Sequence, residues 1–167
     1  MVGDQAGVAQ ECPVTAVNLP AVGTAAPDFE LRDQHGVPIR LAELRGRPVV
    51  LVFFPYAFTG VCTDELRELR DGFGRDEAVL AVSCDSMFSL RAYGDAQEIG
   101  FPLLSDFWPH GEVARRYGVF DEERGCAQRG TFVIDVSGLV RWSVVNAIPD
   151  ARDVTEYRWV LDALVAA

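Results

Sequence analysis

The strongest pattern in the chain is an unbroken apolar run at residues 49–54, followed by a loop and then by a helical pattern. The run is rich in β-branched and aromatic residues, which is typical of a strand that is buried on both faces of a sheet. Pro55 and Gly60 follow it and predict a loop. Beyond the loop, Leu66 and Leu69 recur at helical spacing among charged residues, which predicts an amphipathic helix.

The alternation of strand and helix continues beyond this helix. An apolar run at residues 78–83 predicts a second buried strand, and residues 87–99 predict a second helix with Phe88 among its apolar positions. Residues 102–106 predict a short third strand. Because strands that alternate with helices pair in parallel through crossover connections, this order predicts a parallel βαβ arrangement.

Two further pairs of short strands have turn signals between them. Residues 29–33 and 38–41 flank a Gln-His-Gly turn, and residues 131–135 and 139–145 flank a Val-Ser-Gly turn. Such patterns predict β-hairpins. Together with the parallel strands, the hairpins predict an α/β fold.

The domain organisation follows from the same patterns. Residues 1–21 are mostly small or polar and have little periodicity, which predicts a mobile N-terminal tail. Residues 22–167 predict one domain, which includes two further helices at 112–117 and 154–165. A chain of 167 residues is long enough to bury a substantial core in one domain.

Composition and charge exclude several classes of function. The net charge of −10 argues against binding to nucleic acid or to an anionic membrane, because both need basic patches. No stretch approaches the roughly 20 apolar residues of a membrane span. Residues 1–10 have neither a basic start nor an apolar centre, so we expect no signal peptide and a cytoplasmic location. No Cys/His cluster has zinc spacing, and we expect no metal.

Cys62 is the first candidate for chemistry. It lies where the predicted helix begins, just beyond the C-terminal end of the buried strand, and ligands collect at this edge of open α/β sheets. The unpaired N–H groups and positive dipole end of a first helical turn favour the thiolate, which is the nucleophilic form. Thr59 could donate to the sulfur or to a bound oxygen, and Pro55 fixes the loop and limits water access. The alternative is that Cys62 is a small buried apolar residue.

The spacing Pro55-x-x-x-Thr59-x-x-Cys62 resembles the active-site motif of the peroxiredoxins, which are thiol-dependent peroxidases with a thioredoxin-like fold. The context agrees, because the motif follows a predicted buried strand and opens a predicted helix. The resemblance covers about residues 22–167. It implies a central mixed β-sheet flanked by helices, with an N-terminal β-hairpin.

Residues 101–111 closely resemble the one-cysteine peroxiredoxins of the alkyl hydroperoxide reductase E type. In peroxiredoxins this side of the active site often forms a dimer contact. The resemblance therefore implies a homodimer, with Phe107 and Trp108 as candidate interface residues. Core packing of the two aromatic side chains is the alternative.

The resemblance also implies roles for Arg129 and Glu65. Arg129 begins an Arg-Gly-Thr-Phe segment, whose arginine in peroxiredoxins reaches the reactive sulfur and the bound peroxide. Its fixed fork of donors would stabilise a thiolate and orient an oxygen. Glu65 resembles a carboxylate that often follows the reactive cysteine and hydrogen-bonds near this arginine. The alternatives are a solvated surface charge for Arg129 and a helix-surface carboxylate for Glu65.

The expected function is that of a thiol-dependent peroxidase, an antioxidant enzyme of cell redox homeostasis. The Cys62 thiolate would attack hydrogen peroxide or an organic hydroperoxide, become a sulfenic acid and release water or an alcohol. Thr59 and Arg129 would hold the peroxide in line. No cofactor is needed, and electrons would come from an external small thiol or a thioredoxin- or glutaredoxin-like partner.

The sequence leaves the recycling of the sulfenic acid open. Arg67 stands where a close-spaced resolving cysteine would lie, and no cysteine follows Cys126 to serve as a C-terminal resolving residue. We favour a one-cysteine mechanism, with Cys126 or Cys12 as the alternative resolving cysteine and Cys84 as a packing residue.

Two other functions compete with the peroxidase. A thiol–disulfide oxidoreductase is disfavoured because no cysteine pair has C-x-x-C spacing. A thiol redox sensor that uses Cys62 only as a switch remains an alternative, since the same thiolate chemistry serves both functions.

Overall fold

A seven-stranded mixed β-sheet forms the centre of the molecule. The computed structural model describes residues 18–73 and 77–166. The strands are β1 (Glu30–Arg32), β2 (Pro38–Arg40), β3 (Val49–Phe53), β4 (Ala78–Ser83), β5 (Leu103–Ser105), β6 (Phe120–Asp121), β7 (Cys126–Ala127), β8 (Arg129–Ile134) and β9 (Val140–Asn146). The helices are α1 (Gly60–Gly72), α2 (Met87–Gln97), α3 (Glu112–Arg116) and α4 (Val154–Val165), with a 3-10 turn at Leu41–Leu44.

The order of the strands is β2-β1-β5-β4-β3-β8-β9. The central strands β3, β4 and β5 run parallel, as the alternation of strands and helices predicts. The hairpin β8–β9 adds to β3 in antiparallel orientation. The N-terminal hairpin β1–β2 joins the other edge, where Arg32 pairs with Ser105. The predicted mixed sheet with an N-terminal β-hairpin is therefore confirmed.

Each face of the sheet is covered, which explains the unbroken apolar run in β3. Val49, Leu51 and Phe53 belong to one apolar cluster, which α3 and the 3-10 turn cover. Val50 and Val52 belong to the opposite cluster, together with buried side chains of α1, α2 and α4. All five residues of β3 are buried, since successive side chains of a strand point to opposite faces.

The second predicted helix needs two corrections. Phe88 is 73% exposed rather than inward, because it lies two positions before Leu90, which places the two side chains about 200° apart around the helix. The buried side of α2 instead includes Leu90 and Tyr93. The helix ends at Gln97 and not at residue 99, because Glu98 adopts the left-handed conformation with φ 55° and caps it.

The start of the described chain packs on the domain. The Leu19 side chain contacts the cluster that contains Phe53, and a Cβ built on Gly118 would lie 2.8 Å from the Asn18 carbonyl oxygen. The Gly23 N–H then donates to the Val140 carbonyl at 2.7 Å. Residues 1–17, which make up most of the predicted tail and include Cys12, lie outside the described residues.

The small antiparallel pair β6–β7 was not predicted. Each strand has two residues, which is too short for a periodic pattern to show in the sequence. Within residues 18–73 and 77–166, no helix has the length and apolar character needed to cross a membrane.

Candidate active site

The candidate site begins where β3 ends and α1 starts. Pro55 is buried, and it cannot donate a main-chain hydrogen bond. Thr59 is the residue that precedes α1, with φ −90° and ψ 151°. Cys62 is the third residue of the helix and has no exposed surface. Its position at the N-terminus of a helix therefore agrees with the prediction.

Hydrogen bonds from three hydroxyl groups stabilise the loop before Cys62 and the start of α1. The Thr59 side chain is exposed, and its hydroxyl donates to the Tyr56 carbonyl at 3.0 Å. The Thr63 hydroxyl donates to the Thr59 carbonyl at 2.7 Å, and the Tyr93 hydroxyl of α2 donates to the Thr63 oxygen at 3.1 Å. In this conformation the Thr59 hydroxyl donates to the main chain and not to the sulfur.

Arg129 reaches Cys62 from the other side of the site. It is the first residue of β8 and is 3% exposed. Its Nη1 lies 3.4 Å from the Cys62 Sγ and donates to Glu65 Oε2 at 2.6 Å. Its Nε donates to the Ile148 carbonyl. The guanidinium is thus fixed by a carboxylate and a main-chain oxygen while it contacts the sulfur.

Glu65 lies one helical turn after Cys62, on the buried side of α1. It is 3% exposed, so it is not on the helix surface. One carboxylate oxygen accepts from Arg129, and the other accepts from the main-chain N–H of Arg152 at 2.8 Å. The structure therefore brings three predicted residues together: Cys62, Glu65 and Arg129.

Arg152 is the residue at this site that the sequence did not indicate. Its Nη2 donates to the Phe53 carbonyl, and its Nε lies 3.5 Å from Glu65 Oε1. Burial lowers the pKa of the Arg152 guanidinium, and the negative charge of Glu65 opposes this shift. Arg152 stands near Asp150 and Asp153, in a polar stretch before α4 that is typical of a solvated loop. No motif or periodicity marks it.

The other described cysteines, Cys84 and Cys126, are also buried and unpaired. Burial raises the pKa of the Cys84 thiol to about 12. Burial also raises the pKa of the Cys126 thiol, although a hydrogen bond with Tyr56 partly offsets the shift. Both thiols therefore stay protonated near neutral pH.

Phe107 and Trp108 are surface residues. They are 53% and 82% exposed, so the alternative of core packing is wrong. Together with the exposed Phe88 they line an open groove between β1 and the start of α2. Neither Cys62 nor Arg129 belongs to the wall of this groove.

Three buried charged side chains lie around Cys62. Two buried guanidiniums, Arg129 and Arg152, face one buried carboxylate, Glu65. A buried charge is costly unless an opposite charge compensates it. A thiolate at Cys62 would balance the cluster, and a guanidinium at 3.4 Å could also donate to an oxygen bound at the sulfur.

Comparisons with known proteins agree with this geometry. Residues 22–143 match the AhpC/TSA family. The chain is 45% identical over 150 residues to alkyl hydroperoxide reductase E of Mycobacterium tuberculosis, covering 87% of this chain and 98% of that protein. It is 35% identical over 164 residues to the chloroplastic 2-Cys peroxiredoxin BAS1 of Spinacia oleracea, covering 89% of this chain and 61% of that protein.

The fold is likewise that of peroxiredoxins. The crystal structure of Enterococcus faecalis AhpC superposes with a TM-score of 0.78 at 28% identity, covering 87% of this chain and 92% of that chain. The predicted thioredoxin-like fold is therefore confirmed. The family match and the curated relatives together show that the chain belongs to the AhpC/TSA family of peroxiredoxins and is a thiol-dependent peroxidase.

Proposed function

We propose that Cys62 is the peroxidatic nucleophile of this peroxidase. The observation that carries the proposal is the 3.4 Å contact between Arg129 Nη1 and the Cys62 sulfur, within a buried cluster that lacks one negative charge. The thiolate attacks one oxygen of the hydroperoxide, an S–O bond forms and the O–O bond breaks. The leaving oxygen takes up a proton and departs as water or an alcohol, and Cys62 becomes a sulfenic acid.

Arg129, Thr59 and Pro55 support this step in different ways. Arg129 donates to the peroxide oxygens while charge spreads over the breaking O–O bond, which is electrostatic preorganisation. Thr59 stands at the exposed edge of the loop, where rotation of its hydroxyl away from the Tyr56 carbonyl directs the proton to a bound oxygen. Pro55 is buried below the loop and leaves no main-chain N–H to compete for the peroxide.

The substrates follow from the family. A peroxiredoxin consumes a hydroperoxide and draws electrons from a thiol. We propose that this chain reduces both hydrogen peroxide and organic hydroperoxides, and that a small thiol or a thioredoxin- or glutaredoxin-like protein reduces the sulfenic acid. Since Cys62 has no exposed surface, we expect the small O–O group to reach the sulfur while the rest of an organic hydroperoxide stays outside.

We propose a one-cysteine mechanism for this chain. The raised pKa values of the Cys84 and Cys126 thiols support it, because a protonated thiol is a poor nucleophile. The similarity to alkyl hydroperoxide reductase E of Mycobacterium tuberculosis supports it as well. Cys126 is the alternative resolving residue, since it lies close enough to Cys62 for their charges to interact. A resolving role for Cys12 stays a prediction.

The assembly, domain boundary and location are also proposals. The exposed aromatic side chains of Phe107 and Trp108 support a homodimer that covers them. The family match covers residues 22–143 and supports a domain that begins at residue 22. We propose that this domain spans residues 22–167 and that residues 1–21 are an added tail. Three free cysteines among the described residues suit a reducing compartment, which supports a cytoplasmic location.

Trapping of the sulfenic acid tests the role of Cys62. Reduced wild-type protein and Cys126→Ala would each react with one equivalent of hydrogen peroxide in the presence of dimedone, followed by peptide mapping. A second sample without dimedone would be mapped under non-reducing conditions. We expect the dimedone adduct at Cys62 in both proteins and no disulfide between Cys62 and Cys126. A Cys62–Cys126 disulfide would overturn the one-cysteine mechanism, and an adduct only at another cysteine would overturn the role of Cys62.

A further inference from the structure

Phe58 adopts a left-handed backbone conformation in the loop between β3 and α1, with φ 66°. This conformation is unfavourable for a residue with a bulky side chain, because its Cβ crowds the main chain. Phe58 directly precedes Thr59, whose hydroxyl we propose to donate to the bound peroxide. The position of Thr59 therefore depends on the contacts that hold Phe58 in this conformation.

Two sets of contacts act on Phe58 and on the residue after it. The Phe58 ring packs edge-on against the Tyr93 ring of α2, with the ring centroids 5.1 Å apart. The Thr59 carbonyl accepts from the main-chain N–H of Thr63 at 3.0 Å and from the Thr63 hydroxyl at 2.7 Å. The side of the loop that enters α1 is therefore fixed by the first turn of the helix.

Asp85 fixes the side of the loop that leaves β3. The main-chain N–H of Ala57 donates to Asp85 Oδ2 at 2.9 Å, and the Ser83 hydroxyl donates to the same oxygen at 2.7 Å. The Ser105 hydroxyl donates to the main-chain carbonyl of Asp85 at 2.6 Å. Since Ser83 and Ser105 are paired at the ends of β4 and β5, the Asp85 carboxylate is held by the central sheet.

One peptide group connects Asp85 to Thr59. The Thr59 hydroxyl donates to the Tyr56 carbonyl at 3.0 Å, and this carbonyl belongs to the same planar peptide group as the Ala57 N–H. The peptide group between Tyr56 and Ala57 therefore donates to Asp85 on one side and accepts from Thr59 on the other. Loss of the bond to Asp85 frees this peptide group to turn, and the Thr59 hydroxyl then loses its fixed position.

We propose that Asp85 is a positioning residue of the peroxidase: through the peptide group between Tyr56 and Ala57 it places the Thr59 hydroxyl where the peroxide binds. The inference rests on the proposed roles of Cys62 and Thr59. The Asp85 carboxylate acts on the main chain of the loop, so its role is that of a hydrogen-bond acceptor and not that of a charge.

This arrangement separates two reactions of Cys62. The ion pair of Arg129 with Glu65 contacts the sulfur and does not include Asp85. Attack on a peroxide uses the Thr59 hydroxyl in the proposed mechanism, whereas alkylation by iodoacetamide needs only the thiolate. Loss of the Asp85 acceptor should therefore slow the reaction with peroxide and leave alkylation near its original rate.

The test measures two rates for each variant at one pH: oxidation by hydrogen peroxide in stopped flow, and alkylation of Cys62 by iodoacetamide, followed by peptide mapping. Asp85→Ala removes the acceptor and the charge. Asp85→Asn removes the charge but keeps an oxygen in the same place. Asp28→Ala is the matched control, because Asp28 also accepts from a main-chain N–H, that of Ala42 at 3.0 Å, but lies beside Val49 at the other end of β3.

In Asp85→Ala we expect the rate with peroxide to fall at least about tenfold, because the reaction depends on the exact placement of the Thr59 hydroxyl. The alkylation rate should stay near that of the wild type. Asp85→Asn and Asp28→Ala should keep both rates near those of the wild type. Thr59→Val should also react slowly with peroxide, and adding Asp85→Ala to it should cause no further loss, because Asp85 acts through Thr59.

Several results would overturn the proposal. One is an Asp85→Ala protein that reacts with peroxide as fast as the wild type, and another is an alkylation rate that changes as much as the peroxide rate. An Asp85→Asn protein as slow as Asp85→Ala would assign the effect to the charge. A full further loss on adding Asp85→Ala to Thr59→Val would show that Asp85 acts independently of Thr59.

The same measurements separate this inference from the proposed function. If wild-type protein reacts with peroxide no faster than free cysteine, the proposed role of Cys62 fails. If Thr59→Val reacts as fast as the wild type, the proposed role of Thr59 fails, and this inference fails with it. If Thr59→Val is slow and Asp85→Ala is fast, only this inference fails. If Asp85→Ala does not fold, Asp85→Ser, whose shorter side chain withdraws the acceptor from Ala57, decides by the same comparisons.

Discussion

The Arg129 guanidinium lies 3.4 Å from the Cys62 sulfur, although 67 positions separate the two residues in the chain. The contact follows from the topology, because β8 pairs antiparallel with β3. The first residue of β8 therefore lies at the edge of the sheet where β3 ends and α1 begins. Since both residues stand on regular elements with buried surroundings, the sheet itself fixes the contact between their side chains.

Loss of the Glu65 charge should weaken both the fold and the reaction. In Glu65→Gln the two buried arginines lose the carboxylate with which both of them pair, and removal of one partner of a buried ion pair typically costs about 3–5 kcal/mol. We expect a lower urea midpoint and an oxidation rate that falls about tenfold, because Arg129 is no longer aligned.

Glu68→Gln is the matched control for this experiment, since Glu68 is an exposed glutamate on the same helix. It should leave both the urea midpoint and the oxidation rate near those of the wild type. Equal effects of the two substitutions would show that the buried carboxylate has no special role.

The proposed dimer can be tested at Trp108. Its side chain is 82% exposed in the single chain, and a charge placed in an apolar interface is strongly unfavourable. In sedimentation velocity we expect wild-type protein to run as a dimer and Trp108→Lys as a monomer. Trp159→Lys is the control, because Trp159 is 75% exposed on α4, away from the groove. A Trp108→Lys protein that still sediments as a dimer would place the interface elsewhere.

Alkaline pH should destabilise the fold through buried acids. Burial raises the pKa of the Cys84 thiol from 9.0 to about 12, so this thiol ionises more readily in the unfolded chain than in the folded one. The resulting stabilisation is complete below pH 9.0 and is lost as the pH rises toward about 12. We expect the urea midpoint of wild type to fall from pH 9 to pH 11.

Cys84→Ala isolates this effect. Below pH 9 the substitution lowers stability because a buried side chain is shortened, but the further loss above pH 9 should be smaller than in wild type. If the urea midpoint falls equally for the two proteins between pH 9 and pH 11, Cys84 contributes nothing to the loss of stability at alkaline pH.

The sequence predicts the position of Cys62 better than the positions of the residues around it. The apolar run of β3 and the helical spacing of α1 place Cys62, since both patterns are local. Arg129 could be assigned from its Arg-Gly-Thr-Phe segment only through the resemblance to peroxiredoxins. Its distance from Cys62 along the chain leaves no local signal, and only the antiparallel pairing of β8 with β3 brings the two together.

Arg152 and Phe88 show where local patterns fail. Arg152 follows Asp150 and precedes Asp153, which is typical of a solvated stretch, yet it is buried because Glu65 and strand-end carbonyls provide its partners. Phe88 is apolar but exposed beside Trp108. For Arg152, tertiary contacts override the preference of arginine for the surface. For Phe88, a surface that we propose is covered by a second chain overrides the preference of phenylalanine for the core.

Stopped-flow oxidation of the reduced protein tests the central claim most directly. Wild type, Cys62→Ser and Arg129→Ala would react with hydrogen peroxide and with a fatty-acid hydroperoxide, with Arg141→Ala as the control at a partly exposed arginine of β9. We predict rapid oxidation of wild type and Arg141→Ala, none in Cys62→Ser, and a rate about 10²–10³ lower in Arg129→Ala. Wild-type oxidation no faster than that of free cysteine would contradict the account.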